Sequence, residues 1–183
     1  MNRKSILLLL IFAISVFGQN LKDENIMQGI PKGFKLGFKD YNKKTHISLI
    51  EFIPKGETVQ NWSQMITTNI YHKNIKLSAK EYIQYMNSSW KKSCQNNYTK
   101  FLPDGKENGY EYALFMAYCK KNKMTNKEEF TYFKAIKGND SFYVVQKAFA
   151  YSPTKEEVIA SMKYLQNVFI CDTRLDNCPK VVK

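Results

Sequence analysis

The four cysteines of this 183-residue chain constrain its fold more than any other feature. An even number of cysteines in an exported chain predicts two disulfides, and four cysteines allow three connectivities. We favour Cys171–Cys178, because this pair closes a short loop. Cys94–Cys119 then follows by elimination and would join a helix end to a strand. A four-cysteine zinc site would need closely spaced pairs of cysteines, whereas 24, 51 and 6 residues separate these four.

Residues 1–18 have the three-part pattern of a secretory signal peptide. Two basic residues come first, an apolar run spans residues 6–17, and we expect cleavage after Gly18. An apolar helix of 12 residues rises about 18 Å, which is too short for a hydrocarbon core of ~30 Å. No cysteine precedes Cys94, so we expect no lipid anchor. Loss of the two basic residues would lower the formal charge from +12 to +10.

The positive charge comes almost entirely from lysine, with 26 lysines and two arginines in the chain. Lysine lacks the bidentate geometry of arginine. This composition therefore favours an anionic lipid surface or an acidic polysaccharide over specific nucleic-acid recognition. A second interpretation is a basic face that only keeps the protein in solution. The candidate anion-binding residues cluster between two predicted strands and are Lys120, Lys121, Lys123 and Lys127.

Apolar and β-branched runs, which alternate in the segment 45–53, predict two groups of β-strands. The segment 110–119 is apolar on both faces, so we expect it to be central in the sheet. Residues 19–33 are polar and predict a loosely held N-terminal lead-in. The predicted strands are residues 34–41, 45–53, 62–71, 110–119, 130–137 and 141–151.

Two capping boxes predict where helices begin. Ser78 and Glu81 open the first helix, and Thr154 and Glu157 open the second. Each box is followed by apolar residues at spacings of three and four, as in an amphipathic helix packed on a core. The apolar stripe of the second helix comprises Val158, Met162, Leu165 and Phe169.

The order of elements is strands, helix, strands, helix, with hairpin-length connections. This order predicts a single α+β domain over residues 34–183, with two main helices packed on an antiparallel sheet. The arrangement is similar to the Mog1/PsbP-like fold, an analogy that implies no function by itself.

The sequence has no motif that predicts a catalytic nucleophile, a metal site or a cofactor: G-x-S-x-G, H-E-x-x-H, C-x-x-C and a glycine-rich phosphate loop are all missing. His46 and His72 flank predicted strands beside lysines, and we interpret them as solvated surface residues. Glu51 and Glu111 are candidate catalytic carboxylates, because glycosidases use carboxylate pairs. Glu51 lies on an apolar strand face, and the simpler interpretation is a glutamate paired with a lysine of a neighbouring strand.

Four segments carry a family resemblance: residues 56–62 (GETVQNW), 107–110 (ENGY), 130–149 (FTYFKAIKGNDSFYVVQKAF) and 171–179, which holds CDTR and CP. Together they resemble an uncharacterised family of small exported proteins of Gram-negative bacteria over most of residues 34–180. A weaker resemblance is to novel type II secretion substrates of intracellular pathogens. The resemblance implies export and an α+β domain. It implies no activity and no catalytic residues.

Three functional hypotheses follow. The first is a secreted, disulfide-stabilised, non-enzymatic binding or virulence-associated protein that acts at an anionic surface of lipid, polysaccharide or a host or envelope protein. The second is a small polysaccharide or peptidoglycan hydrolase that uses Glu51 or Glu111. The third is a periplasmic housekeeping protein that binds only a partner protein. All three place the protein in the periplasm or the medium of a Gram-negative bacterium.

Overall fold

A computed structural model describes residues 22–179 except residues 74 and 124. The predicted signal peptide, residues 1–18, lies outside the described residues. The strands and helices, in chain order, are β1 (Glu24–Met27), β2 (Phe34–Asn42), β3 (Ile47–Pro54), β4 (Gln64–Tyr71), α1 (Ala79–Ser93), β5 (Cys94–Glu107), β6 (Tyr110–Asn122), β7 (Glu129–Lys137), β8 (Phe142–Phe149), α2 (Lys155–Gln166) and β9 (Phe169–Asp172).

Seven strands form one antiparallel sheet in the order β2-β3-β4-β8-β7-β6-β5. Strands β1 and β9 form a separate antiparallel pair. Both edge strands of the large sheet are irregular, with a register shift between Leu36 and Phe38 in β2 and another between Leu102 and Gly105 in β5. The predicted α+β class, with two helices on an antiparallel sheet in one domain, is confirmed.

The two helices pack on opposite faces of the sheet, because successive strand residues point to opposite sides. Helix α1 packs on the face that carries Phe115 and Phe133, and its Trp90 lies in that core. Helix α2 packs on the other face, where Leu165 meets Val145 and neighbouring residues. Each helix begins at the capping box predicted for it, with reciprocal hydrogen bonds between the N-cap and N3 residues. These boxes satisfy amide groups that the first helical turn leaves without intrahelical acceptors.

The structure contains two disulfides, Cys94–Cys119 and Cys171–Cys178, which is the pairing that the sequence favours. Cys94 caps the C-terminal end of α1 and begins β5, so the first bond ties the helix end to β6. Disulfides persist in oxidising compartments. The two bonds therefore fit a small, exported, disulfide-stabilised protein. No helix among the described residues is long and apolar enough to cross a membrane.

The expectation of a loosely held lead-in is wrong for residues 24–27, which form β1 and pair with β9. Glu24 fixes this strand to the turn between β7 and β8. Its carboxylate accepts hydrogen bonds from the backbone amides of residues 139–141 and from the Tyr143 hydroxyl at 3.1 Å. A Cβ atom at Gly138 would collide with the same carboxylate, so the turn needs a glycine there.

Two further expectations need correction. Strand β6 is not central: it lies next to the edge strand β5, and β8 occupies the middle of the sheet. Its two apolar faces reflect cover by α1 on one side and by the α2 core on the other. Phe169 does not belong to the second helix, because α2 ends at Gln166 and Phe169 begins β9.

Candidate functional site

Five exposed lysines lie together at one end of the molecule, which we call the basic end. Two come from the last turn of α1, and three come from the end of β6 and the turn after it. Two links hold the elements together: the Cys94–Cys119 disulfide and a 3.3 Å hydrogen bond from the Lys123 amide to the Ser93 carbonyl. The basic end comprises Lys91, Lys92, Lys120, Lys121 and Lys123.

The two carboxylates closest in sequence to Lys123, Glu128 and Glu129, are both engaged by hydrogen bonds within the protein. Glu129 is buried and accepts hydrogen bonds from Asn122 at 2.9 Å and Thr131 at 2.8 Å. Burial raises the pKa of this carboxyl. Glu128 accepts a hydrogen bond from the Tyr118 hydroxyl at 3.1 Å. No described carboxylate forms an ion pair with a lysine of the basic end, so its positive charge faces solvent.

Lys127 stands apart from the other predicted anion-binding lysines. It is half-buried, and its ammonium lies 5.2 Å from the centre of the Trp62 ring. The same Nζ donates to the carbonyls of Gln60 and Trp62 at 3.4 and 3.3 Å. Lys127 therefore links the connection between β6 and β7 to the loop before β4. The structure brings the other three predicted lysines together and adds the two from α1.

The two candidate catalytic glutamates do not meet. Glu51 lies on β3 and Glu111 on β6, with three strands between them in the sheet. Four strand spacings correspond to about 19 Å, whereas glycosidase carboxylates lie roughly 5–9.5 Å apart. Glu51 is half-buried, burial raises its pKa, and its cross-strand neighbours are Phe38 and Thr67 instead of a lysine. The pair therefore cannot act as the two carboxylates of a glycosidase.

The two histidines lie next to each other, with His46 directly before β3 and His72 directly after β4. The Ser48 Oγ and His72 Nε2 atoms lie 2.7 Å apart, and the Tyr41 hydroxyl lies 3.1 Å from His46 Nδ1. This serine–histidine contact was not anticipated from the sequence. A catalytic histidine needs a third group that orients it, and no described carboxylate hydrogen-bonds to either histidine. The cluster is exposed and fits solvated surface residues.

A cavity of about 410 Å³ opens on the α2 face of the sheet. It lies between α2, the strands β4 and β8, and the segment that joins β1 to β2. Most of its wall is apolar and includes Phe34 and Phe149. Its polar residues include Gln64, Lys147 and Tyr164. A mainly apolar cavity with a few polar groups is the usual form of a small-molecule site.

The sequence analysis missed Lys147, although a signal for it was present. Within the predicted strand 141–151, this lysine falls on the same alternating face as Tyr143, Val145 and Phe149. A lysine on an otherwise apolar face predicts a buried ammonium that needs partners. The other residues around it come from β4, α2 and the chain before β2, and no local pattern connects them.

No cluster of three or more histidine, cysteine, aspartate or glutamate side chains within the described part of the chain could hold a metal ion. No protein-family model matches this chain, and no curated protein matches it significantly. The resemblance to small exported proteins of Gram-negative bacteria therefore stays a prediction from the four segments quoted above.

Proposed function

We propose that this protein is an exported, non-enzymatic binding protein that acts at an anionic surface, of lipid or of acidic polysaccharide, through its basic end. One observation carries the proposal. The fold and the Cys94–Cys119 disulfide bring five exposed lysines from two elements to one end of the molecule, where Lys120 and Lys121 point to opposite faces of β6, while the neighbouring Glu129 is buried. A localised positive surface attracts polyanions and raises their local concentration.

The chemistry of the basic end favours a surface over a defined small anion. All five side chains are lysines, which bind phosphate or sulfate groups as point charges without fixed geometry. The exposed Tyr98 lies on β5 beside this end and supplies an amphipathic ring of the kind found at membrane–water interfaces. Binding should therefore depend on total charge and weaken steeply with salt.

The test compares two triple variants that lose the same charge at different places. Lys120→Gln, Lys121→Gln, Lys123→Gln weakens the basic end. Lys43→Gln, Lys44→Gln, Lys55→Gln removes three exposed lysines next to β2 and β3, at the opposite edge of the sheet. Both are measured by co-sedimentation with phosphatidylglycerol vesicles and by retention on a heparin matrix, at low and at high salt.

Each lysine near an anionic membrane contributes about 1 kcal/mol, so the basic-end variant should bind roughly a hundredfold more weakly than wild type. The control variant should lose much less. Vesicle binding without heparin retention would assign a lipid surface, and the reverse would assign polysaccharide. Absence of binding to both at low salt, or equal losses in the two variants, would refute the proposal.

The proposed compartment is the periplasm or the medium of a Gram-negative bacterium. Fractionation of producing cells, followed by intact mass measurement, tests this. The expected species begins at Gln19 and is four hydrogens lighter than its reduced form, because both disulfides are closed. A cytosolic protein that retains residues 1–18 would contradict the proposal.

A further inference from the structure

Two buried lysines on the α2 face of the sheet have very different surroundings. Lys134, 2% exposed, donates to the Glu107 carboxylate at 2.6 Å and to the carbonyls of Leu165 and Val168 at 3.0 and 2.6 Å. Its three ammonium hydrogens therefore have three acceptors. Lys134 joins the C-terminal end of α2 to the sheet and has no capacity left for a ligand.

Lys147, 6% exposed, has one hydrogen-bond acceptor among the described residues, the Gln64 Oε1 atom at 2.7 Å. Its Nζ also lies 4.4 Å from the ring centre of Phe34 and 5.2 Å from that of Phe149. All three of these neighbours line the 410 Å³ cavity, so the ammonium lies at the cavity wall. A buried ammonium with one acceptor retains donors for another anionic or carbonyl oxygen.

A second donor lines the same cavity. Tyr164 extends from α2, and its buried hydroxyl has no hydrogen-bond partner among the described residues. Buried hydroxyl groups are normally hydrogen-bonded. Burial raises the pKa of Tyr164 to about 12, so this hydroxyl stays protonated at neutral pH and can donate. Lys147 and Tyr164 thus line the same apolar cavity, and both have donor hydrogens without an acceptor among the described residues.

We propose that this cavity binds a small amphipathic carboxylate, whose carboxylate accepts hydrogen bonds from Lys147 and Tyr164 and whose hydrocarbon part packs between Phe34 and Phe149. The volume lies low in the range of about 300–1,000 Å³ for ligand pockets, which suits a single short chain or ring. This site is separate from the basic end and does not depend on the proposed function.

The charges around Lys147 permit a ligand anion. Glu157 also lines the cavity, but its carboxylate is held by the Tyr151 hydroxyl and by the backbone amide of Thr154 at 2.9 Å. The Gln64 side chain lies between the two charges, with its Nε2 atom 3.4 Å from Glu157. The other titratable groups on the elements packed around Lys147 are Tyr132 and Lys134 of the neighbouring strand β7, Tyr151 and Tyr164; Lys134 is paired with Glu107 at 2.6 Å.

The same geometry predicts how affinity depends on pH. Burial lowers the pKa of Lys147 to about 8, and a carboxylate ligand is ionised throughout the neutral range. Below pH 8 the lysine is protonated and affinity should be constant. Above pH 8 most Lys147 side chains are deprotonated before the ligand binds and must take up a proton to pair with it. Affinity should therefore fall by up to about tenfold per pH unit.

The experiment titrates decanoate into the full mature protein by calorimetry, with decan-1-ol as the uncharged comparison. The Lys147→Met variant removes the ammonium and keeps an unbranched apolar side chain. The Tyr164→Phe variant removes only the hydroxyl, so it should fold even if Lys147→Met does not. Lys163→Met is the matched control, because Lys163 lies exposed on the same helix as Tyr164.

We expect saturable one-to-one binding of decanoate that weakens at least tenfold in Lys147→Met and several-fold in Tyr164→Phe. Lys163→Met should bind like wild type, and so should the triple variant of the basic end. The proposal fails if wild type does not bind decanoate, if either cavity variant binds it as tightly as wild type, or if decan-1-ol binds equally well. None of these outcomes affects the vesicle and heparin results.

Discussion

Lys134 and Lys147 offer a direct test of what makes a buried lysine stabilising. Both lie on the α2 face of the sheet, both are almost completely buried, and methionine replaces either with similar volume. We expect Lys134→Met to destabilise the protein and Lys147→Met to leave its stability unchanged or raise it. The reason lies in the number of acceptors that each replacement leaves without a donor.

Replacing Lys134 with methionine removes the lysine donor of the Val168 carbonyl and the partner of the Glu107 carboxylate. The Leu165 carbonyl, at the C-terminal end of α2, loses one donor but still accepts from the Val168 amide at 3.2 Å. A buried group that loses its partner costs about 1–3 kcal/mol. Relief from burying the ammonium offsets part of this, since burial lowers the pKa of Lys134. We expect Lys134→Met to reduce the free energy of unfolding by about 2–4 kcal/mol.

Replacing Lys147 removes the unfavourable free energy of burying a charged ammonium group. Burial lowers its pKa from 10.5 to about 8, and each pKa unit corresponds to about 1.4 kcal/mol, so the charged form costs the folded state about 3 kcal/mol at pH 7. The lost hydrogen bond to Gln64 and the two aromatic contacts offset about 1–3 kcal/mol. We expect Lys147→Met to be neutral or to stabilise the protein by up to about 2 kcal/mol.

The assay is urea unfolding at pH 7 with both disulfides oxidised, followed by the fluorescence of Trp62 and Trp90, which are both buried. The two variants should differ in unfolding free energy by at least about 2 kcal/mol, with Lys134→Met the less stable. If Lys147→Met loses as much stability as Lys134→Met, the acceptor argument is wrong, and so is the reasoning that Lys147 has donors to spare.

Three further predictions follow from the same structure. Between pH 7 and pH 9.5, the free energy of unfolding of wild type relative to Lys147→Met should rise by about 2 kcal/mol, because the unfolded chain binds more protons than the folded one once pH passes the folded pKa of about 8. Unfolding free energies, measured with urea, that change equally with pH in the two proteins would contradict this. Replacing Cys94 and Cys119 with alanine should lower the free energy of unfolding by about 3.5 kcal/mol, and replacing Cys171 and Cys178 should lower it by about 2.4 kcal/mol, because the disulfides close loops of 25 and 7 residues. Urea midpoints in the reverse order would refute the loop-length argument. Glu24→Gln should lower the free energy of unfolding by about 1–3 kcal/mol, because the glutamine NH2 group would face the backbone N–H groups of residues 139–141, donor against donor. Unchanged hydrogen exchange at these N–H groups would show that the carboxylate is not needed.

Local patterns predicted most of the fold. The boxes at Ser78 and Thr154 located both helix starts, and runs of apolar and β-branched residues located six of the seven strands of the large sheet. Strand β5 was missed because an edge strand with a register shift has little apolar alternation. Strand β1 was missed because its four residues gain their order from β9, which lies more than a hundred residues later in the chain.

The candidate sites were less predictable, because they depend on contacts between distant segments. The run Lys120–Lys123 is visible in the sequence, but its proximity to Lys91 and Lys92 depends on how α1 and β6 meet at the disulfide. The cavity around Lys147 combines β4, β8, α2 and the chain before β2. No periodicity relates these elements, and only the three-dimensional arrangement shows that the lysine has a single acceptor.

The irregular edges of the large sheet have a consequence for the behaviour of the protein at high concentration. An unpaired strand is a template on which a second molecule can add its own strand. Here β2 combines its register shift with the exposed Lys35 and Lys39, and β5 combines its shift with Pro103, which has no amide hydrogen to donate. These features oppose intermolecular strand addition on both sides, although Leu36 and Phe38 of β2 are exposed. We expect a Lys35→Val, Lys39→Val variant to form thioflavin-T-positive fibrils under conditions where wild type does not. A chain with so much of its length in strands can in this way accumulate without polymerising.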